Sequence, residues 1–199
     1  VVLSLIGIIV LSPVFLAVAL AIKIDDGGPV FYKQKRLTTN GKVFEIIKFR
    51  SMRVDAEKDG VARLAGDDDD RITKVGRFIR MLRLDELPQI FNILSGSMSI
   101  VGPRPERPEI AAEYEQHTPE FALRLQVKAG LTGYAQVYGK YNTTPYDKLK
   151  LDLFYIENYS LLEDLRLILM TFKIMFIPSS TEGISADSRT AERESKNDN

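Results

Sequence analysis

The chain has 199 residues, 27 Lys and Arg against 27 Asp and Glu, a single histidine and no cysteine. This length suits one domain with appendages, and the balanced charge offers no electrostatic case for nucleic acid as a partner. The absence of cysteine excludes a disulfide framework, a thiolate nucleophile and a thiolate metal site, and one histidine, His117, argues against a multi-histidine metal site or a Ser-His-Asp triad.

Residues 1–22, VVLSLIGIIVLSPVFLAVALAI, carry no charge. About twenty apolar helical residues cross a bilayer core. Ser12-Pro13 interrupts the run. Proline removes a backbone donor and crowds the preceding turn, which predicts a kink. The carbonyl it frees needs a partner, and the Ser12 hydroxyl is a candidate. Two geometries fit: a kinked span, or a re-entrant hairpin that returns to the side it entered. Lys23, Lys33, Lys35 and Arg36 follow, which puts the downstream domain on the cytoplasmic side. A cleaved signal peptide and a buried core helix are the alternatives. The first lacks a basic n-region, and the second is unusual for so long an uncharged helix. The chain begins at Val1 rather than a methionine, so the expectation is that a preceding segment is missing.

Residues 27–52 read as a β-hairpin, with Val30, Tyr32, Val43, Glu45 and Ile47 in β-rich runs and Asn40-Gly41 at the turn. Residues 54–70 are polar and end in four aspartates without EF-hand spacing, hence a solvated loop. Thr73 is placed to cap a helix carrying Val75, Phe78, Ile79 and Leu82 at helical spacing. Pro88 predicts a new helix through Ile90, Phe91 and Leu94 to Gly96, with Asp85 as its cap, ionised by the helix dipole. Residues 128–140, KAGLTGYAQVYGK, read as loop and short strand, and His117 as an exposed loop residue. Ser160 and Glu163 match a capping box. The helix that follows is apolar on most faces, and two placements fit it, at a membrane interface or in the core. Residues 179–199 read as a disordered tail.

The acid pair Asp85 and Glu86 poses the chemical question. One reading is a helix cap and nothing more. The other is a carboxylate nucleophile that forms an acyl phosphate, which needs neither histidine nor cysteine. Such chemistry calls for a divalent metal, magnesium where oxygens and phosphates are the ligands. It also calls for cations, and Lys48, Arg50, Arg80 and Arg104 are candidates.

Five stretches, KFRSM (48–52), RITKVGRFIR (71–80), LDELPQIFNILSGSMSIVGPRP (84–105), KAGLTGYAQV (128–137) and LDLFYIENYS (151–160), resemble the bacterial sugar transferase family. Its members are monotopic phosphoglycosyl transferases that begin glycan assembly on a polyprenyl phosphate. The resemblance covers residues 1–178. It implies an α/β fold with a re-entrant membrane helix hairpin over 1–24, a small mixed α/β catalytic domain over 25–178 and interfacial amphipathic helices. It implies that Asp85 attacks the β-phosphate of a UDP-sugar and UMP leaves. Polyprenyl (undecaprenyl) phosphate then takes the phosphosugar from the aspartate. Asp85 would lie near Mg2+. Glu86 would orient the metal or assist deprotonation of the acceptor, while Lys48, Arg50, Arg80 and Arg104 would bind phosphate or nucleotide. Ser12 and Pro13 would break the membrane helix. Asp152 matches an acidic position that is either structural or functional. Where many members carry Gly-Arg this chain has Gly139-Lys140, and Lys140 keeps the charge but loses the bidentate fork. The implied setting is the cytoplasmic face of a bacterial inner membrane, with lipids as partners and homo-oligomerisation left open. A magnesium-dependent diphosphate hydrolase and a non-catalytic scaffold for glycan assembly are the competing readings. The sugar is not legible in the sequence.

Overall fold

The computed structural model describes residues 2–56, 69–139 and 143–175. Lys140, the tail 179–199 and the start of the aspartate run lie outside the described residues.

The uncharged N-terminal run forms one helix, α1 (Val2–Asp26), with Pro13 inside it. The sequence left a kinked span and a re-entrant hairpin open, and the run forms one helix that continues through the proline. The reason is local. Proline 13 cannot donate to the carbonyl four residues back, and the Ser12 hydroxyl donates to that carbonyl, Ile9 O, at 2.8 Å. The orphan is satisfied from within the turn. Along α1 the buried and half-buried positions recur at Ser4, Gly7, Leu11, Val14, Phe15, Val18 and Ile22. That three-and-four spacing makes one stripe, and it faces the rest of the chain. Val2, Leu3, Leu5, Ile6, Ile9, Val10, Leu16 and Leu20 stay exposed on the other faces.

β1 (Phe31–Leu37) and β2 (Val43–Phe49) form the expected antiparallel hairpin, in register from Phe31 opposite Phe49 to Leu37 opposite Val43. Its turn holds Asn40 at φ 57° and Gly41 at φ 70°, the left-handed region those two residue types tolerate best. The outer edge of β2 is closed by a side chain. Asn92 accepts from Ile47 N–H at 2.9 Å and donates to Glu45 O at 2.8 Å, as a neighbouring strand would.

α2 (Lys74–Met81) starts where expected, with the Thr73 hydroxyl accepting from Gly76 N–H at 2.9 Å. Ile79 is buried, but Phe78 and Leu82, expected to share its face, are exposed. α3 (Gln89–Leu94) follows, then β3 (Ser99–Val101), α4 (Pro108–His117), a 3-10 segment (Pro119–Gln126), β4 (Gly130–Thr132), α5 (Tyr134–Tyr138), α6 (Pro145–Asn158) and α7 (Leu161–Met175). β3 and β4 pair in parallel, so the described residues hold two separate two-stranded sheets rather than one small sheet. Gly102 N–H reaches Thr132 O and Gly130 N–H reaches Pro103 O, both at 2.9 Å. A Cβ on either glycine would sit 2.3 Å or less from the opposing backbone, so the two loops meet this closely only as glycines.

Three apolar clusters hold these parts. Val18 and Ile22 of α1 pack with Phe49 of β2 and Ile79 of α2. Val101, Tyr155 and Leu167 join β3, α6 and α7. Ala111, Phe121 and Leu149 join α4, the 3-10 segment and α6. α7 is capped as expected, Ser160 Oγ accepting from Glu163 N–H at 3.2 Å. Of its apolar residues Leu167 is fully buried in the core, while Leu161, Leu162, Leu165, Leu169 and Phe172 are exposed.

α2 lies so close to the strand end that a Cβ on Gly76 would stand 1.9 Å from the Ser51 carbonyl oxygen, a backbone atom that cannot swing aside. Gly76→Ala is expected to destabilise the fold by at least about 3 kcal/mol through overpacking. Thermal unfolding in detergent checks this, and an unchanged melting temperature contradicts it.

Candidate functional site

The acid pair occupies a 3-10 turn, Leu84–Glu86, entered through Arg83 in the left-handed region at φ 54°. A non-glycine residue there carries strain, about 1 kcal/mol or more, which the surroundings must hold. They do: Leu84 and Leu87 pack against the Val18, Ile22, Phe49 and Ile79 cluster. The turn sends the two carboxylates to different places. Asp85 lines a polar cavity of about 620 Å³. Glu86 lines an apolar one of about 290 Å³, and Arg104 borders both.

Asp85 does not cap α3 as expected. Pro88 stands at the cap position, and no side chain accepts there. Among the described residues no hydrogen bond or ion pair reaches the Asp85 carboxylate. Burial first, and then the negative charge of Glu86, push its carboxyl above the ordinary aspartate value, against the pull of Lys48, Arg80 and Arg104. The helix-dipole lowering expected of a cap is therefore not what Asp85 meets; its surroundings act in the opposite direction.

Glu86 has the opposite environment. Lys48 Nζ and Arg104 Nη2 both donate to its Oε1, at 3.0 and 2.7 Å, and its side chain is 15% exposed. Burial alone pushes the Glu86 carboxyl up. The charges of Arg104 and Lys48, with their hydrogen bonds, outweigh it and hold the group well below the usual carboxylate range. The neighbours are thus separated in role: one paired and ionised, one unpaired and raised.

The predicted cations converge. Lys48, Arg50, Arg80 and Arg104 line the same cavity as Asp85. Arg50 is buried, with Nη2 held by Asp26 at the end of α1, and its Nε and Nη1 have no hydrogen-bond partner. Ser12 and Pro13 lie apart from this cavity, within α1.

The sequence reading missed Arg36, Arg53, Arg107 and Lys148, which line the cavity too. It also missed the support behind Arg104. Arg124, 3% exposed, donates from Nε and Nη2 to Asp152 Oδ2 at 2.9 and 2.6 Å, and from Nη2 to the Arg104 carbonyl at 3.0 Å. Arg36 Nη1 holds Pro105 O at 3.1 Å, and Lys148 Nζ holds Glu106 Oε1 at 2.5 Å. Asp152, left open between structure and function, sits inside this network, where burial pushes its carboxyl up against the pull of Arg124. A lone charge within an apolar run, as with Arg124 in FALRLQV, was the available signal. Asp69, expected as part of a solvated loop, instead pairs with Arg71 at 2.6 Å. His117 is exposed as expected, though it ends α4 rather than lying in a loop.

Among the described residues no group of three acidic or histidine side chains is placed to hold a metal alone. Magnesium ordinarily takes one or two carboxylates and completes its shell with water and substrate phosphates. The unpaired Asp85 oxygens, on a cavity also lined by Lys48, Arg50, Arg80 and Arg104, fit that donor set.

A family model described as bacterial sugar transferase matches residues 1–178. The chain is 43% identical over 175 residues to the UDP-glucose:undecaprenyl-phosphate glucose-1-phosphate transferase of Xanthomonas campestris pv. campestris, covering 85% of this chain and 36% of that protein. It is 40% identical over 173 residues to the UDP-N-acetylgalactosamine-undecaprenyl-phosphate N-acetylgalactosaminephosphotransferase of Aeromonas hydrophila, covering 85% of this chain and 41% of that protein. Against the exopolysaccharide production protein PSS of Rhizobium leguminosarum bv. phaseoli it is 41% identical over 177 residues, covering 84% of this chain and 88% of that protein. The chain thus spans well under half the length of the first two.

The split environments set opposite pH dependences for stability. Glu86, lowered, contributes stability that is present above the ordinary glutamate value and is lost as pH falls below it. Asp85, raised, costs stability as pH climbs through and beyond the ordinary aspartate range. Without added divalent cation at neutral pH, Asp85→Asn is expected to raise the melting temperature. Glu86→Gln is expected to lower stability by about 2 kcal/mol, discounted because Arg104 is 38% exposed. Melting curves of the two variants moving in the same direction would count against the split.

Proposed function

This chain belongs to the bacterial sugar transferase family, and on that premise we propose that it transfers a sugar 1-phosphate from a UDP-sugar to polyprenyl phosphate, releasing UMP. The observation that carries the reading is Asp85: an unpaired, half-buried carboxylate on the wall of a cation-lined cavity.

In the first step an Asp85 oxygen bonds to the β-phosphorus of the donor. The bond from that phosphorus to the bridging oxygen breaks, and UMP leaves with the oxygen and its electron pair. In the second step an oxygen of the lipid phosphate bonds to the same phosphorus, the bond to Asp85 breaks, and the carboxylate returns. The raised environment of Asp85 favours its conversion to an acyl phosphate, which removes the charge from the carboxyl group and leaves one negative charge on the phosphate oxygens. A magnesium ion, when bound, supplies charge neutralisation for the diphosphate. Lys48 and Arg104 face the developing negative charge, held in place by Glu86. With its own charge committed to those two cations, Glu86 is a positioning residue and a poor general base. Arg80, five residues before Asp85, borders the same space.

The membrane seating follows from α1. Its inward stripe stays on the body from Ser4 to Ile22, while its other faces expose large apolar side chains. A helix held along the body for roughly 27 Å cannot leave it to cross a bilayer upright. We assign α1 to the cytoplasmic leaflet, lying along the body, with the exposed apolar residues of α2 and α7 at the interface. There a soluble nucleotide sugar and a lipid phosphate can both reach Asp85.

UMP release in detergent with magnesium, undecaprenyl phosphate and a panel of UDP-sugars tests the reading. One donor is expected to support lipid-dependent release, Asp85→Asn to reduce it at least about a thousandfold, and chelation of magnesium to stop it. Release that continues without lipid would identify a hydrolase. No loss in Asp85→Asn would remove the carboxylate from the chemistry.

A further inference from the structure

The apolar helix α1 ends in two acids, Asp25 and Asp26, and the chemistry derived above uses neither. Asp25 accepts from Val75 N–H at 3.1 Å, in the first turn of α2. Asp26 makes two contacts through one oxygen. Its Oδ1 accepts from Gly28 N–H at 3.3 Å, where the chain turns out of the helix, and from Arg50 Nη2. The Arg50 side chain is 6% exposed. Among the described residues no other carboxylate pairs with it, and its Nε and Nη1 have no hydrogen-bond partner. The guanidinium lies against Gly28, where a Cβ would clash with Nη1 and Cζ. Arg50 lines the polar cavity together with Lys48, Arg80 and Asp85. One end of the apolar helix therefore grips a charged group on the cavity wall.

We propose that Asp26 is a positioning residue for the donor, holding the Arg50 guanidinium where its charge acts on the diphosphate of the UDP-sugar. The assignment rests on the transferase reading and adds that the junction between α1 and the hairpin is part of the donor site. A guanidinium this buried needs an opposite charge close by. Without one, a long side chain regains its rotamers and leaves the geometry that faces the cavity. A local role for Asp26 competes with this one: an oxygen that closes the turn into Gly28 and nothing more. Asparagine separates the two, because its Oδ1 still accepts from Gly28 N–H while the charge is gone.

Asp26→Asn is expected to raise the KM for the UDP-sugar about fivefold, the difference between a charge-assisted and a neutral hydrogen bond. The kcat and the KM for undecaprenyl phosphate stay at wild-type values, as loss of donor binding alone requires. In an Arg50→Gln background the same change is expected to add nothing, since Asp26 acts through Arg50. Gly28→Ala crowds the guanidinium and keeps both charges, and is expected to raise the same constant. A wild-type donor KM in both single variants, or an Asp26→Asn effect that persists in full without Arg50, overturns the proposal and leaves Asp26 as a turn residue. Because a substitution at this junction could unfold the protein, the wild type is also followed by hydrogen exchange with UDP and magnesium. Protection of the peptides 24–30 and 48–52 together supports the tie, and protection absent from either overturns it. If the wild type releases no UMP with any donor, the transferase reading fails, and the exchange still reports on the tie between Asp26 and Arg50.

Discussion

The site depends on one carboxylate that does not react. Glu86 accepts from Lys48 and Arg104 on a single oxygen, and so ties together the hairpin, the 3-10 turn and the segment after β3. Those residues are distant in the chain, and each side chain is long and freely rotating by itself. Two cations left beside one another in a half-buried site repel. Glu86 between them turns that repulsion into a fixed constellation. Fixing them also defines the environment of Asp85. Its neighbour's negative charge and its own burial raise its carboxyl, and the cations oppose the rise without forming a bond to it. A carboxylate that bonds nothing in its own protein remains available to bond phosphorus.

The surrounding structure serves this geometry. Asn92 joins α3 to the edge of β2, which sets Lys48 against the turn. Gly76 lets α2 close onto Ser51, which brings Arg80 to the same cavity. Arg124, itself held by Asp152, fixes the Arg104 main chain from behind. The close glycine contact between Gly102 and Gly130 aligns that segment with the loop before α5. α1 belongs to this framework too. Val18 and Ile22 are core residues, and Asp26 holds Arg50. The long apolar helix and the rest of the chain therefore share one core.

Local chemistry was legible in the sequence wherever partners lie within a turn of one another. The Thr73 and Ser160 caps, the Asn40-Gly41 turn and the Ser12 hydroxyl on the carbonyl freed by Pro13 all follow from neighbouring residues. The convergence of Lys48, Arg80 and Arg104 on Asp85 was legible through family resemblance, since no periodicity places them together. What escaped depends on contacts distant in the chain. Nothing local distinguishes the environments of Asp85 and Glu86, and nothing pairs Arg124 with Asp152 before α6 packs. The spacing of Phe78 and Leu82 with Ile79 marks them as apolar, but spacing cannot tell a core from a lipid surface. The parallel pairing of β3 with β4 leaves no signal in two three-residue strands.

The proposed reaction turns on Asp85 carrying the phosphosugar between the two substrates. Its most direct test is the mass of the wild-type protein after incubation with its UDP-sugar and magnesium in the absence of lipid acceptor. A mass increase of one sugar phosphate is expected, located to the peptide containing Asp85 and removed on adding undecaprenyl phosphate. Full turnover by a protein that never acquires that adduct, or acquires it on another residue, would contradict it.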